Sequence, residues 1–168
     1  MKNIKIIDFM ININAENGEY TDNSDSNAVE SHIYGLCPKC DEPNTGENWC
    51  QRCNTKQFQQ DFPNWTSGNK YIDNFIQEIQ LNAQNSKEIL EWIPYDRLKN
   101  IKYLAKGGFS TVYTAIWLDG PIQEWNYDNQ QWERQIEYNI DSENGYVVVI
   151  KSLNKSSNMN DEFLNEVS

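Results

Sequence analysis

Apolar residues recur at helical spacing in the middle of the chain and at strand spacing further on. The helical series has four members, which are Ile72, Phe75, Ile76 and Ile79. Their i, i+3, i+4, i+7 spacing predicts an amphipathic helix within residues 67–93. Ser67 and Asn69 precede the series and are candidate N-caps. From Leu98 onward, glycines and β-branched residues predict strands instead.

The N-terminal segment has the composition of a disordered chain. Residues 14–33 are acidic and rich in Asn, Ser and Asp, and we expect the whole of 1–33 to be disordered. The apolar run Ile4–Ile11 does not resemble a secretion signal, because Asp8 interrupts it and no small-residue cleavage site follows. No stretch has the roughly 18 to 20 apolar residues that span a bilayer. A cytoplasmic protein is expected, and a nuclear one is possible.

The net charge of the chain is -11 at pH 7. Nucleic acids and anionic membranes both attract clustered Lys and Arg. We therefore expect neither as a partner, and we attribute the acidity to solubility.

All four cysteines lie within residues 34–57, in two C-x2-C pairs: Cys37 with Cys40, and Cys50 with Cys53. Two such pairs can complete a tetrahedron around one Zn²⁺ ion. A segment this short lacks a sufficient core, so metal binding would supply its folding free energy. Disulfides are the alternative, but they need an oxidising compartment. The pattern predicts a structural zinc site filled by protein ligands.

The cysteine segment CPKCDEPNTGENWCQRCN also resembles the short zinc-ribbon family. The family pattern has a CPxC knuckle, an Asn near Asn44, an aromatic residue near Trp49 and a second CxxC, and the spacer here is one residue shorter. A class of short zinc fingers that bind ubiquitin or single-stranded RNA looks similar. The local charge is near neutral and shows no basic stripe for RNA.

Two strand-like runs and a helix carry a second set of candidate residues. Gly107 and Gly108 lie at a turn between strands, where small residues let backbone N–H groups approach an anion. The run 147–150 is apolar and ends in Lys151, which strand alternation places on the face of Val147 and Val149. Residues 160–167 open a helix that contains Glu166.

Together these elements resemble the N-terminal lobe of the protein kinase superfamily, in its tyrosine-kinase-like group of mostly Ser/Thr kinases. The family pattern is G-x-G-x-F-G-x-V, then V-A-[IVL]-K, then a helix Glu. Lys151 matches the lysine that holds the α and β phosphates of ATP, and Glu166 matches its partner. The resemblance implies an ATP site, with Mg²⁺ in the complete domain. Its residues would be Leu104, Ala105, Lys106, Gly107, Gly108, Phe109, Ser110, Val112, Val149, Lys151 and Glu166.

This sequence departs from the kinase pattern at several positions. Ala105 and Ser110 replace two glycines, and Val149 replaces the alanine that touches adenine. The number of residues between the glycine turn and Lys151 is about twice that usual in the kinase family, so residues 119–145 are assigned to an insertion. Its aromatic residues are Trp125, Tyr127, Trp132 and Tyr138. We expect it to extend the β-ribbon, with turns at Asp119-Gly120 and Asn144-Gly145.

The expected fold class is α+β. It comprises the zinc-ribbon-like module 34–57, a helical linker 67–95, and a truncated kinase N-lobe 96–168 with antiparallel strands and the start of helix C. The family's catalytic loop and metal-binding Asp would follow Ser168, so this chain alone is expected to be inactive and to have no catalytic residues. Two alternatives stay open: a pseudokinase or adaptor, and a zinc-dependent protein-interaction module.

Overall fold

The fold is α+β, with antiparallel strands. The computed structural model describes residues 33–108, 110–138 and 144–153. The helices are α1 (Gln51–Asp61) and α2 (Lys70–Asn82), and short 3-10 turns cover Phe62–Asn64, Ser86–Glu88 and Tyr95–Arg97. The strands are β1 (Leu98–Lys106), β2 (Ser110–Trp117), β3 (Ile122–Asn126), β4 (Gln131–Arg134) and β5 (Tyr146–Leu153).

The described residues form two compact units, and the chain passes from one to the other three times. The strand unit contains Ile93–Gly120 and the described part of 136–153. The cysteine unit contains 33–92 and Pro121–Gln135. Pro121–Gln135, called the inserted hairpin below, lies inside the insertion predicted from the sequence, yet it packs with the cysteine segment.

The strand unit is an antiparallel sheet in the order β1-β2-β5. β2 and β5 pair without a break from Trp117↔Tyr146 towards Val112↔Lys151. One face carries the core, which is Ile93, Leu98, Ala115, Trp117, Tyr146, Val148 and Ile150. β1 is an edge strand whose residues after Leu98 are exposed.

Short contacts at both ends of the insertion fix where β2 ends and β5 begins. The guanidinium of Arg97 forms a two-pronged pair with the carboxylate of Asp119. Gly120 has φ of +64°, the left-handed conformation that glycine adopts without strain. A Cβ on Gly145 would lie 2.7 Å from the backbone oxygen of Trp117. The chain bends just before Gly120, where the sequence predicts a turn, whereas Gly145, of the turn predicted at Asn144-Gly145, forms a bridge with Glu137.

Helix α2 confirms the predicted amphipathic helix but is shorter than the 67–93 segment. Asn69 is its N-cap, and the side-chain oxygen accepts from the Tyr71 N–H at 2.9 Å. Ile72 and Ile76 are buried, as the spacing predicted. Ser67 is not the cap; its backbone N–H donates instead to the Asp73 carboxylate at 2.8 Å.

Helix α2 ends at Asn82 because side chains of the cysteine segment and α1 take over its last carbonyls. Thr55 Oγ1 donates to the Leu81 carbonyl at 3.1 Å, and Trp49 Nε1 donates to the Ala83 carbonyl at 3.1 Å. Terminal carbonyls need such partners when a helix ends in the interior. Residues 83–93 are therefore not helical, apart from the 3-10 turn.

The inserted hairpin forms a sheet of its own, so the prediction that the insertion extends the β-ribbon is wrong. β3 and β4 pair only with each other among the described strands. Ile122 is buried against the core of the cysteine unit, which also contains Trp49 and Phe58. Burial of its aromatic side chains draws the hairpin to this core.

Replacing Asp73 with asparagine should destabilise the cysteine unit at neutral pH. Burial alone would raise the pKa of Asp73, but the hydrogen bonds that its carboxylate accepts from Ser67 and Thr66 outweigh burial and lower the pKa. Thr66 Oγ1 lies 2.6 Å from the carboxylate. We expect Asp73→Asn to lower the free energy of unfolding by about 1 kcal/mol, because hydrogen bonds to a charged acceptor are lost. Denaturant titration at pH 7 measures this difference.

The same variant has a pH signature. A lowered folded-state pKa contributes stability above the unfolded value of about 3.9, and this contribution is lost as pH falls through the folded value. The wild-type advantage should therefore shrink below about pH 4. Glu78→Gln, on an exposed face of the same helix, should change little. A pH-independent difference for Asp73→Asn would contradict this role.

Candidate metal centre

Two local structures position the four cysteines. Cys37 and Cys40 lie at the ends of a turn that the Asp41 N–H closes by donating to the Cys37 carbonyl at 2.9 Å. Cys50 is the N-cap of α1, and Cys53 lies in the first turn of that helix. The second cysteine pair thus lies at the start of a helix, which the resemblance to zinc ribbons did not predict. The N-terminus of a helix favours the thiolate form of a nearby cysteine.

The four sulfur atoms lie within 4.8 Å of one another, which confirms the predicted clustering. Cys37 and Cys53 have sulfurs 3.8 Å apart, and those of Cys40 and Cys50 are 3.7 Å apart. A tetrahedral ion with metal–sulfur bonds of about 2.3 Å requires sulfur–sulfur distances of roughly 3.8 Å. All four cysteines are free thiols. The cluster can hold one zinc ion.

Burial and hydrogen-bond donors give the thiols different pKa values. Burial disfavours the Cys37 thiolate, yet hydrogen bonds from the Tyr127 hydroxyl and from backbone N–H groups outweigh it and lower its pKa to about 6. Burial raises the pKa of Cys50 to about 12 and also raises that of Cys53. The Cys37 thiolate therefore forms readily, whereas the Cys50 and Cys53 thiolates need a nearby cation to offset their burial.

Tyr127, at the tip of the inserted hairpin, contacts this cluster from a distant part of the sequence. Its hydroxyl oxygen lies 3.6 Å from the Cys37 sulfur. Burial and the neighbouring Cys37 raise the pKa of Tyr127, which keeps the hydroxyl protonated and able to donate. In the sequence, Tyr127 stands out only as one aromatic residue of the insertion. No local pattern pairs residues this far apart along the chain.

An aromatic stack lies beside the cysteines and joins the hairpin to α1. Trp49 has no exposed surface. The ring of Trp132 stacks on Phe58 at 4.4 Å between centroids, and Trp125 meets Trp132 edge-on at 5.0 Å. Trp132 Nε1 also donates to Asp61 at 3.1 Å. Trp49 matches the aromatic position of the zinc-ribbon pattern, and in the structure it is a buried core residue.

The strand unit brings several predicted nucleotide-site residues to one sheet face. Ala105 pairs with Val112, and Val112 pairs with Lys151. Val149 lies two positions before Lys151 and is 44% exposed, whereas the intervening Ile150 is buried. These four residues therefore share the face opposite the strand core. Leu104, at an irregularity of β1, is 56% exposed.

The predicted glycine loop is a tight turn between β1 and β2. Lys106 ends β1, and Ser110 begins β2. The Gly107 N–H donates to the Ser110 carbonyl at 2.8 Å. Neither Gly107 nor Gly108 has a positive φ, and a Cβ on Gly108 would meet open space. This conformation therefore does not itself require glycine. Phe109 and Glu166 lie outside the described residues.

No family model, curated protein or solved structure matches the chain. Within the described ranges, no helix is both long and apolar enough to cross a membrane.

Replacing Trp132 with alanine should destabilise the cysteine unit although Trp132 is not a cysteine neighbour in sequence. The change removes the stack on Phe58 and the hydrogen bond to Asp61. Aromatic-to-alanine changes in cores cost about 3–5 kcal/mol, and partial exposure favours the lower end. Denaturant unfolding followed by far-UV circular dichroism measures the loss.

Tyr71→Ala is the matched control, because Tyr71 belongs to the same unit and is 82% exposed. Its effect should stay within about 0.5 kcal/mol. Equal stabilities of Trp132→Ala and Tyr71→Ala would contradict the packing of the hairpin on this core.

Proposed function

We propose that the chain combines a structural zinc site with an ATP-binding strand unit that begins a protein kinase domain of the Ser/Thr type. The zinc site is supported by the sulfur–sulfur distances of 3.7 and 3.8 Å. The nucleotide site is supported by the register that places Val112 beside Lys151. The two proposals concern different units and are tested separately.

The zinc ion would act on structure and not on a reaction. Four protein thiolates fill a tetrahedron and leave no position for water or a substrate. Binding would neutralise part of the thiolate charge in a buried place, where unpaired charges are costly. The free energy of metal binding would thereby contribute to the folding of the cysteine unit.

Metal analysis of the purified chain should give one zinc per polypeptide. Cys50→Ser should lose that zinc, because the buried Cys50 sulfur supplies one corner of the tetrahedron. Ser86→Ala, in the same unit but away from the cluster, is the control and should keep full occupancy. A chain that carries no zinc, or a Cys50→Ser variant that keeps it at full stoichiometry, would contradict the proposal.

The nucleotide would lie against the exposed face of the β1-β2-β5 sheet. Val112 and Val149 offer apolar contacts to a base, and Lys151 offers a cation at the end of the same face. Lysine is a frequent phosphate ligand in nucleotide sites. In the resembled family Glu166 would orient this lysine, and Mg²⁺ held by the complete domain would accompany the phosphates.

Burial of Trp49 weighs against one alternative role of the cysteine unit. An aromatic finger that binds single-stranded RNA needs a ring face open to bases. Trp49 has no exposed surface, and Phe58 and Trp132 occupy its surroundings. The pseudokinase or adaptor alternative would use the same strands without phosphoryl transfer.

Lys151→Met should weaken ATP binding by the zinc-loaded chain roughly 10-fold or more, since it removes a charge-assisted contact to phosphate. Titration with a fluorescent ATP analogue in the presence of Mg²⁺ measures the dissociation constant. Lys99→Met removes the same charge from the far end of the sheet, where Lys99 pairs with Ile116.

The control should bind the nucleotide as the wild type does. Absence of binding by the wild-type chain, or equal affinities of Lys151→Met and wild type, would contradict the ATP site. Neither result would affect the zinc proposal, which has its own measurement.

A further inference from the structure

We propose that Tyr127 is a positioning residue of the metal centre and that its contact with Cys37 makes folding of the inserted hairpin dependent on the metal. This inference rests on the proposed zinc site and adds a second partner to it. The hairpin would be the element whose order reports the presence of the ion.

The β1-β2-β5 sheet does not need the inserted hairpin for its own strand pairing. β2 and β5 are adjacent and pair directly up to Trp117↔Tyr146. The Gly145 N–H and carbonyl pair with Glu137 just beyond that point. A short turn could close the same sheet. Pro121–Gln135 belongs to the cysteine unit, so we attribute the order of the hairpin to its contacts within that unit.

An isolated two-stranded hairpin is at best marginally stable in water. β3 and β4 together span only 122–134 and include a register irregularity after Ile122. Their stability must come from contacts with the rest of the unit. These contacts fall into two groups, one along the strands of the hairpin and one at its tip.

The strands of the hairpin are held by polar contacts at their base and by the aromatic stack nearer the tip. The Ile122 N–H donates to the Glu91 carboxylate at 2.9 Å, and Arg134 pairs with the same carboxylate at 2.8 Å. Trp132 stacks on Phe58. Phe58 lies on α1, the helix that Cys50 caps and that contains Cys53, so the element under the hairpin carries the second cysteine pair.

The tip of the hairpin contacts the cysteine cluster. Asn126 accepts hydrogen bonds from the N–H groups of Asp128 and Asn129, both at 2.9 Å, and so fixes the turn that carries Tyr127. The Tyr127 hydroxyl reaches the Cys37 sulfur at 3.6 Å. The Lys39 N–H donates to the same sulfur at 3.4 Å. Cys37 thus accepts from local backbone N–H groups and from one donor that the hairpin supplies.

A hydrogen-bond donor to a metal-bound thiolate affects both the metal affinity of the site and the stability of the element that carries the donor. Such groups around a metal site typically change its affinity by 10- to 100-fold when removed. Linkage is reciprocal, so a hairpin that raises metal affinity is itself stabilised by the metal to the same degree. Loss of the ion should therefore release 121–135 together with the cysteine segment.

Tyr127→Phe tests the hydroxyl while keeping the ring. We expect roughly 10-fold weaker Zn²⁺ binding in competition with a chromophoric chelator. In the Co²⁺-loaded protein, the sulfur-to-metal charge-transfer band should move to lower energy, because the Cys37 thiolate loses a hydrogen bond. Tyr138→Phe makes the same change at a tyrosine that is 83% exposed, and should alter neither value.

Hydrogen exchange followed by mass spectrometry tests the hairpin directly. After chelation of the metal, peptides from 121–135 should lose protection, and peptides from β2 should retain theirs. The inference is overturned if 121–135 stays protected without metal. It is also overturned if Tyr127→Phe matches wild type, or if Tyr138→Phe matches Tyr127→Phe, in affinity and spectrum. A wild-type chain that takes up no metal would instead refute the proposed zinc site.

Discussion

The convergence of four cysteine sulfurs is the constraint on which the cysteine unit depends. Sulfurs 3.7 and 3.8 Å apart are too far for a disulfide and too close, in a buried place, for several uncompensated thiolates. A tetrahedral cation would resolve this conflict. The turn at Cys37–Cys40 and the N-cap of α1 at Cys50 bring the sulfurs together, and α1 presents Phe58 to the aromatic core.

The rest of the unit follows from that core. Trp49 is fully buried and caps the end of α2 through the Ala83 carbonyl. Trp132 brings the inserted hairpin onto the same core, and Tyr127 extends the contact to Cys37. A segment inserted between two strands of one unit is thus structured by the other unit's core. The proposed zinc ion would support both the cysteine segment and this insertion.

The features predicted from sequence were those set by neighbouring residues. Spacing indicated the cysteine cluster and the buried face of α2, and it left Asn69 as one of two candidate caps. Alternation placed Val149 and Lys151 on one strand face. Helix α1 was missed because its 11 residues are mostly polar, with Phe58 as their only large apolar side chain. The sequence also does not indicate that the hairpin packs on the cysteine unit. The contacts of Tyr127 with Cys37 and of Trp132 with Phe58 join residues far apart in the sequence, so no periodic pattern marks them.

The proposed zinc site requires that one metal ion binds all four thiolates. X-ray absorption spectroscopy at the zinc edge of the purified chain counts the ligands. We expect four sulfur neighbours at about 2.3 Å and no nitrogen or oxygen ligand. A shell that includes nitrogen or oxygen ligands, or a protein purified with its four cysteines joined as disulfides and no zinc, would contradict it.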